Sequence, residues 1–87
     1  MVTLDACDYA GHGTGFSNKS PAYVQAFLDS DSYALRLIDA VKARANYADE
    51  DWLIIICTDH GGDEGGGHGS PLPAHRQVFI ASDKPIV

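Results

Sequence analysis

Leu53-Ile54-Ile55-Ile56-Cys57-Thr58-Asp59-His60-Gly61-Gly62 is an apolar run that ends in a carboxylate, an imidazole and two glycines. A run this apolar fits the middle of a parallel sheet covered on both faces, and open α/β sheets place their sites at the carboxyl ends of such strands. Gly66-Gly67-His68-Gly69 follows and brings back a second imidazole. Asp and His side chains supply the oxygen and nitrogen donors that zinc-like cations prefer.

The same chemistry stands upstream. Met1-Val2-Thr3-Leu4 is another apolar start, and Asp8-Tyr9-Ala10-Gly11-His12 adds a carboxylate and an imidazole beside a glycine. A lone Asp-His pair is usually a turn or a solvated loop tip, and Gly66-Gly67 alone reads as a flexible linker. Three such motifs in one short chain favour metal ligation, with enough donors for two cations sharing a site. His75 falls outside this pattern, and with Arg76 it reads as a plain surface pair.

Asp8-x-x-x-His12-x-x-Gly15, then a helix, then Thr58-Asp59-His60-Gly61-Gly62 and Gly67-His68-Gly69, resembles the carboxyl-terminal part of the alkaline phosphatase superfamily, in its type I phosphodiesterase/nucleotide pyrophosphatase branch. The resemblance runs from Leu4 to about Ser82. It implies that Asp8, His12 and His68 hold one divalent metal and Asp59 with His60 a second, both most simply zinc. It further implies a metal-dependent phosphoric ester hydrolase acting on a phosphate ester. The resemblance also calls for an early Asp and a Ser or Thr nucleophile, for which these residues offer no counterpart, so no catalytic residue is assigned. Thr58, Thr14 and Ser17 are the nearby hydroxyls, and nothing in the sequence sets a base or a helix amino terminus beside them. The alternative is a non-catalytic metal-binding fragment that needs a partner chain or a missing half.

Composition agrees with part of a larger unit. The 87 residues are 45% hydrophobic and 21% charged, which is a globular and not a disordered composition, and residues 1–87 are expected to form a single partial domain. Chains this short bury only a little over ~60% of their unfolded surface. No stretch approaches the ~20 apolar residues of a membrane span, and the first residues lack the basic and apolar regions of a signal peptide, so no compartment is assigned. Cys7 and Cys57 each abut an apolar run and read as two buried thiols in preference to a disulfide.

The expected order is strand, long loop, helix, strand, glycine loop, strand. Ser20-Pro21 starts the helix as N-cap and first helical residue, and the helix is expected to reach about Tyr47. Val24, Phe27, Leu28, Leu35, Ile38 and Val41 form one apolar stripe that reads as core, with Lys42 and Arg44 at the end that favours cations. Asp31 interrupts the stripe and reads as a hydrogen-bonded structural acid. Asp49-Glu50-Asp51 reads as a solvated connection into Trp52. The fold class expected is therefore α/β: a partial parallel sheet of about three strands with one long crossover helix, a right-handed βαβ unit and a last strand at Gln77 to Ser82, as a fragment of the alkaline phosphatase-like fold. One helix covers one face only. The other face then needs a second copy, hence an expected homo-oligomer, or the rest of a larger protein. A net charge of −6 argues against general binding to a nucleic-acid backbone.

Overall fold

A computed structural model describes residues 1–86. The chain forms α1 (Ala6–Thr14), α2 (Pro21–Lys42), a 3₁₀ turn (Tyr47–Asp49), β1 (Ile55–Cys57), the short helix α3 (Pro73–Arg76) and β2 (Ile80–Ser82). The start of α2 follows local chemistry. Ser20 is the N-cap and its hydroxyl accepts the Tyr23 N–H at 3.2 Å, while Pro21 occupies the first helical turn, where its missing N–H leaves no bond unmade. The helix ends at Lys42, short of Tyr47. α1 and α2 are joined side by side, with the Thr14 and Ser20 hydroxyls 2.6 Å apart and Cys7 Sγ 3.6 Å from Ser30 Oγ.

The sheet departs from expectation. It has two strands and they run antiparallel, Ile55 opposite Ser82, Ile56 opposite Ala81 and Cys57 opposite Ile80. Neither the three-stranded parallel sheet nor the βαβ unit forms. Met1 to Leu4 is not a strand, because the chain passes instead into α1, so α2 has no first strand from which to cross over. The connection from β1 to β2 contains only the four-residue α3 as helix, whereas a parallel return is usually made by a long crossover helix packed on the sheet. The glycine loop in that connection is tied back to α1 by the Phe16 N–H to Asp63 carbonyl bond at 2.9 Å. Asp83 extends the hairpin, its carboxylate accepting the Ile54 N–H at 2.9 Å and its N–H donating to the Ile54 carbonyl at 3.1 Å.

The expected core is also absent. Among the described residues no hydrophobic side chain is buried. Val24, Phe27, Leu28 and Leu35 of the α2 stripe face solvent, and so do Ile55, Ile56 and Ile80 of the hairpin. The accessible surface is 6678 Å² where a compact 9.3 kDa monomer would show about 5000 Å². The radius of gyration is 15.4 Å against about 12 Å for a compact domain of this length. Both excesses have one cause: α2 is long, and Val24, Phe27, Leu28 and Leu35 on its apolar side stay exposed among the described residues. Cys7 is half-buried and Cys57 exposed, both free thiols, so the expectation of buried cysteines fails while that of an absent disulfide agrees. Asp31 is exposed and makes no side-chain hydrogen bond among the described residues. The acidic turn is more than a solvated link: Glu50 accepts from Arg44 and from the Trp52 indole, and Asp51 pairs with Lys84 at 2.6 Å.

Candidate metal centre

Asp8 and His12 are four residues apart on α1, a spacing that sets both side chains on one face of a helix. Asp8 lies in the first turn, the end where the helix dipole favours a negative charge, and His12 in the last. α1 ends at Gly15, whose φ of 99° is left-handed and open to glycine. The chain then turns Phe16 back under the helix. There a Cβ on Gly11 or on Gly62 would overlap the Phe16 ring, so the two glycines make the slot that the ring fills.

Phe16 is the pillar of the site. Its ring stands edge-on to His12, His68 and His60 at centroid distances of 5.5, 6.0 and 6.5 Å. His60 and His68 stack on one another at 3.8 Å. The result gathers four donors. Asp8 Oδ1 lies 3.4 Å from His12 Nε2, 3.5 Å from His60 Nε2 and 3.4 Å from His68 Nε2, and the Nε2 atoms of His12 and His68 are 2.8 Å apart.

Two backbone carbonyls orient these rings. His12 Nδ1 donates to the Gly66 carbonyl at 2.9 Å and His60 Nδ1 to the Gly61 carbonyl at 2.7 Å. With the proton held on Nδ1, each ring turns an Nε2 lone pair toward Asp8, the arrangement usual for imidazoles that ligate a cation. Gly66 reaches this position with φ at 86°, which side-chain-bearing residues rarely adopt.

The spacings from Asp8 Oδ1 are those of ligands around one tetrahedral cation, while the 2.8 Å between His12 Nε2 and His68 Nε2 is shorter than such an edge. With metal–nitrogen bonds of 2.0–2.1 Å the edges of a tetrahedron are about 3.3–3.4 Å, against the 3.4 and 3.5 Å measured from Asp8 Oδ1. Asp8 Oδ1 is itself buried and has no hydrogen-bond partner. A carboxylate oxygen withdrawn from water and left unbonded is unfavourable unless a positive group meets it. Asp8, His60 and His68 each present one donor atom within 4.8 Å of the others, close enough to hold an ion, and His12 stands beside them.

Of the five expected ligands, Asp8, His12 and His68 lie together, with His12 Nε2 and His68 Nε2 each 3.4 Å from Asp8 Oδ1, and Asp59 lies beside His60. His60 also approaches the first set, with Nε2 3.5 Å from Asp8 Oδ1. Asp59 stays at the rim, 93% exposed, with Oδ1 3.7 Å from His60 Nε2. The three hydroxyls singled out in the sequence have other duties: Thr14 donates to the Ala10 carbonyl, Ser17 accepts the Lys19 N–H and Thr58 accepts the Phe79 N–H.

Sequence reading missed several residues around the cluster. Phe16, Asp63, Ser70 and His75 all support it. His75 is 7% exposed and not a surface residue. Its Nε2 lies 2.5 Å from Asp63 Oδ2 and its Nδ1 2.8 Å from Ser70 Oγ. Gly67 and then His75 hydrogen-bond the Asp63 carboxylate and hold it below the usual carboxylate range. Only the aromatic inside the Gly15-Phe16 turn carried a signal that pattern reading could have used.

No protein-family model matches the sequence, and no solved structure matches it. Over 73 residues, 84% of this chain, the sequence is 39% identical to GPI ethanolamine phosphate transferase 3 of Eremothecium gossypii. The chain spans about 6% of that relative's length. That relative is a phosphoethanolamine transferase of the alkaline phosphatase superfamily. The chain is thus homologous to part of a phosphoester-transferring enzyme of that superfamily.

Proposed function

We propose that this chain is a cation cradle for phosphoric ester cleavage or transfer, with Asp8, His12, His60 and His68 as ligands of one divalent ion, most simply Zn²⁺. What carries the reading is Asp8 Oδ1, buried, unbonded and 3.4 to 3.5 Å from three imidazole nitrogens. One carboxylate and three neutral imidazoles leave a divalent site at a net charge of +1, which attracts a phosphate ester into a chain of net charge −6. When bound, such a cation supplies charge neutralisation for a phosphoryl group and acidifies water. The protein's own part is orientation: the Gly61 and Gly66 carbonyls fix the rings, and the Phe16 ring fixes their spacing.

A second cation, at Asp59 and the edge of His60, would need ligands from outside the cluster and is the weaker of the two. Hydrolysis by a phosphodiesterase or nucleotide pyrophosphatase and transfer of the kind named for the relative share this cradle, and differ in whether water or an alcohol attacks. Thr14, Ser17 and Thr58 are all engaged in local hydrogen bonds, which favours a second reading in which the isolated chain binds metal without turning over substrate and the attacking group comes from elsewhere.

Zinc titration of the full chain against a chromophoric chelator tests the reading. One tight equivalent is expected, weakened on the order of 100- to 1000-fold by Asp8→Asn, as one share in four of a ~10–16 kcal/mol structural zinc site, and by more when His12→Ala and His68→Ala remove two shares. Unchanged binding in both variants, or none in the wild type, overturns it. Activity of the isolated chain on an activated aryl phosphodiester is expected far below ~1–1000 per second.

A further inference from the structure

Asp63, Ser70 and His75 form a hydrogen-bonded cluster of their own beside the cradle. His75 Nδ1 accepts the Ser70 backbone N–H at 3.1 Å, which makes that nitrogen the acceptor of the neutral ring and leaves the proton on Nε2. The Nε2–H then donates to Asp63 Oδ2, and the Ser70 hydroxyl donates to Nδ1. His75 thus bonds both ends of the segment from Asp63 to Ser70, and His68 lies inside it. The segment contains Gly65, Gly66, Gly67 and Gly69, and residues of this kind lose the most backbone freedom on ordering.

Asp63 passes the restraint inward. Its Oδ1 accepts the Gly67 N–H at 3.0 Å, its carbonyl accepts the N–H groups of Phe16 at 2.9 Å and Gly66 at 3.1 Å, and its own N–H donates to the Gly67 carbonyl at 3.1 Å. Gly66 is the residue whose carbonyl orients His12, and Gly67 precedes His68.

We propose that His75 is a positioning residue for the cation site, a clasp that closes the segment from Asp63 to Ser70 and so sets His68 and the Gly66 carbonyl where Asp8 and His12 need them. The inference rests on the reading of Asp8, His12, His60 and His68 as a cation cradle. An unclasped loop samples many arrangements, and the apparent affinity falls with the fraction of chains in which the loop is in place.

The test compares zinc affinity of the full chain in wild type, His75→Ala, His75→Gln, Ser70→Ala and Asp8→Asn. Hydrogen-bonded neighbours of ligands typically contribute ~10- to 100-fold, and His75→Ala is expected to lose that much. His75→Gln, which keeps an N–H for Asp63, should recover part of it. The visible absorption of the Co²⁺-loaded chain, a signature of four-coordinate geometry, should weaken in His75→Ala and return in part with His75→Gln. In the metal-free chain the Gly67 amide should exchange faster in His75→Ala than in wild type. Wild-type zinc affinity and Gly67 exchange in His75→Ala, with Asp8→Asn still weakening zinc on the order of 100- to 1000-fold, overturns the clasp and leaves the cradle standing. No zinc binding in the wild type overturns both. If His75→Ala loses its helical circular dichroism, Ser70→Ala decides: removing one hydroxyl should weaken zinc on the order of 2- to 10-fold, and no change overturns the clasp.

Discussion

Around Phe16, polar groups of α1 and the glycine loop are joined pairwise by short hydrogen bonds, and three imidazoles lean on one ring, whereas along α2 and the hairpin large apolar side chains face solvent with nothing over them. The first region is held by directional bonds among residues of the chain itself. The second displays the surface that a folded unit ordinarily hides. The geometry of the cradle and the burial that stabilises the whole are therefore separable properties of this molecule.

The largest expected effect concerns the uncovered region. About 1700 Å² of surface beyond that of a compact monomer is more than the ~800 Å² that each partner of a standard interface contributes. Light scattering at micromolar concentration should give a multiple of 9.3 kDa. A stable 9.3 kDa species would break the comparison, since apolar residues would then be tolerated in water without a partner.

Phe16→Ala sharpens it from the other side. Loss of the ring should weaken zinc by roughly 10- to 100-fold, as for other supports of ligand orientation. The helical circular dichroism, dominated by the 22 residues of α2, should change little. An equal collapse of both signals would mean that the two regions are not separable.

How much of this was readable follows from how local each cause is. The start of α2 depends on Ser20 and Pro21 alone, and the sequence announces it. The cluster of donors was legible as a list, because His12, His60 and His68 each sit beside glycines and Asp8 stands four residues before His12. That Asp8 and His12 share a helical face lay in their four-residue spacing, which the glycines at Gly11 and Gly13 disguised as a turn. Strand direction was not legible, since it depends on where the segment between Cys57 and Ile80 goes, and Asp63 bonding to Phe16 decides that. His75 was misread for the same reason. Its partners, Asp63 and Ser70, are 12 and 5 residues away and no period connects them.

A smaller effect separates the regions by acid. The Asp63 carboxyl is held below its ordinary value by Gly67 and His75, so its contribution to stability is present above the usual carboxylate pKa of about 3.9 and is lost as pH falls through the lowered folded value. Acid should therefore release Gly67 amide protection in the wild type. Asp63→Asn should show less protection already at neutral pH and a flatter response, and an identical acid profile in both chains would contradict the assignment.

The smallest is Ser20→Ala, which removes the cap of α2 and its contact with Thr14. It should lower stability by about 1 kcal/mol, read as a shift of some 4–8 °C in Tm, with zinc affinity of the folded chain unchanged. A change in affinity would show that the cradle depends on how α2 begins.

Trp52 is the chain's one tryptophan, and it is bonded at its indole N–H to Glu50 at 2.6 Å with the Arg44 guanidinium 5.5 Å from its ring centroid. Its fluorescence is therefore an optical tag for the junction between α2 and β1. The hydrogen bond from Arg44, then that from Trp52, lowers the pKa of the Glu50 carboxyl, so the indole keeps its anionic partner to a lower pH than beside an ordinary glutamate. Emission that shifts on dilution while zinc leaves it untouched would report separation of chains through a residue that no ligand of the cradle touches.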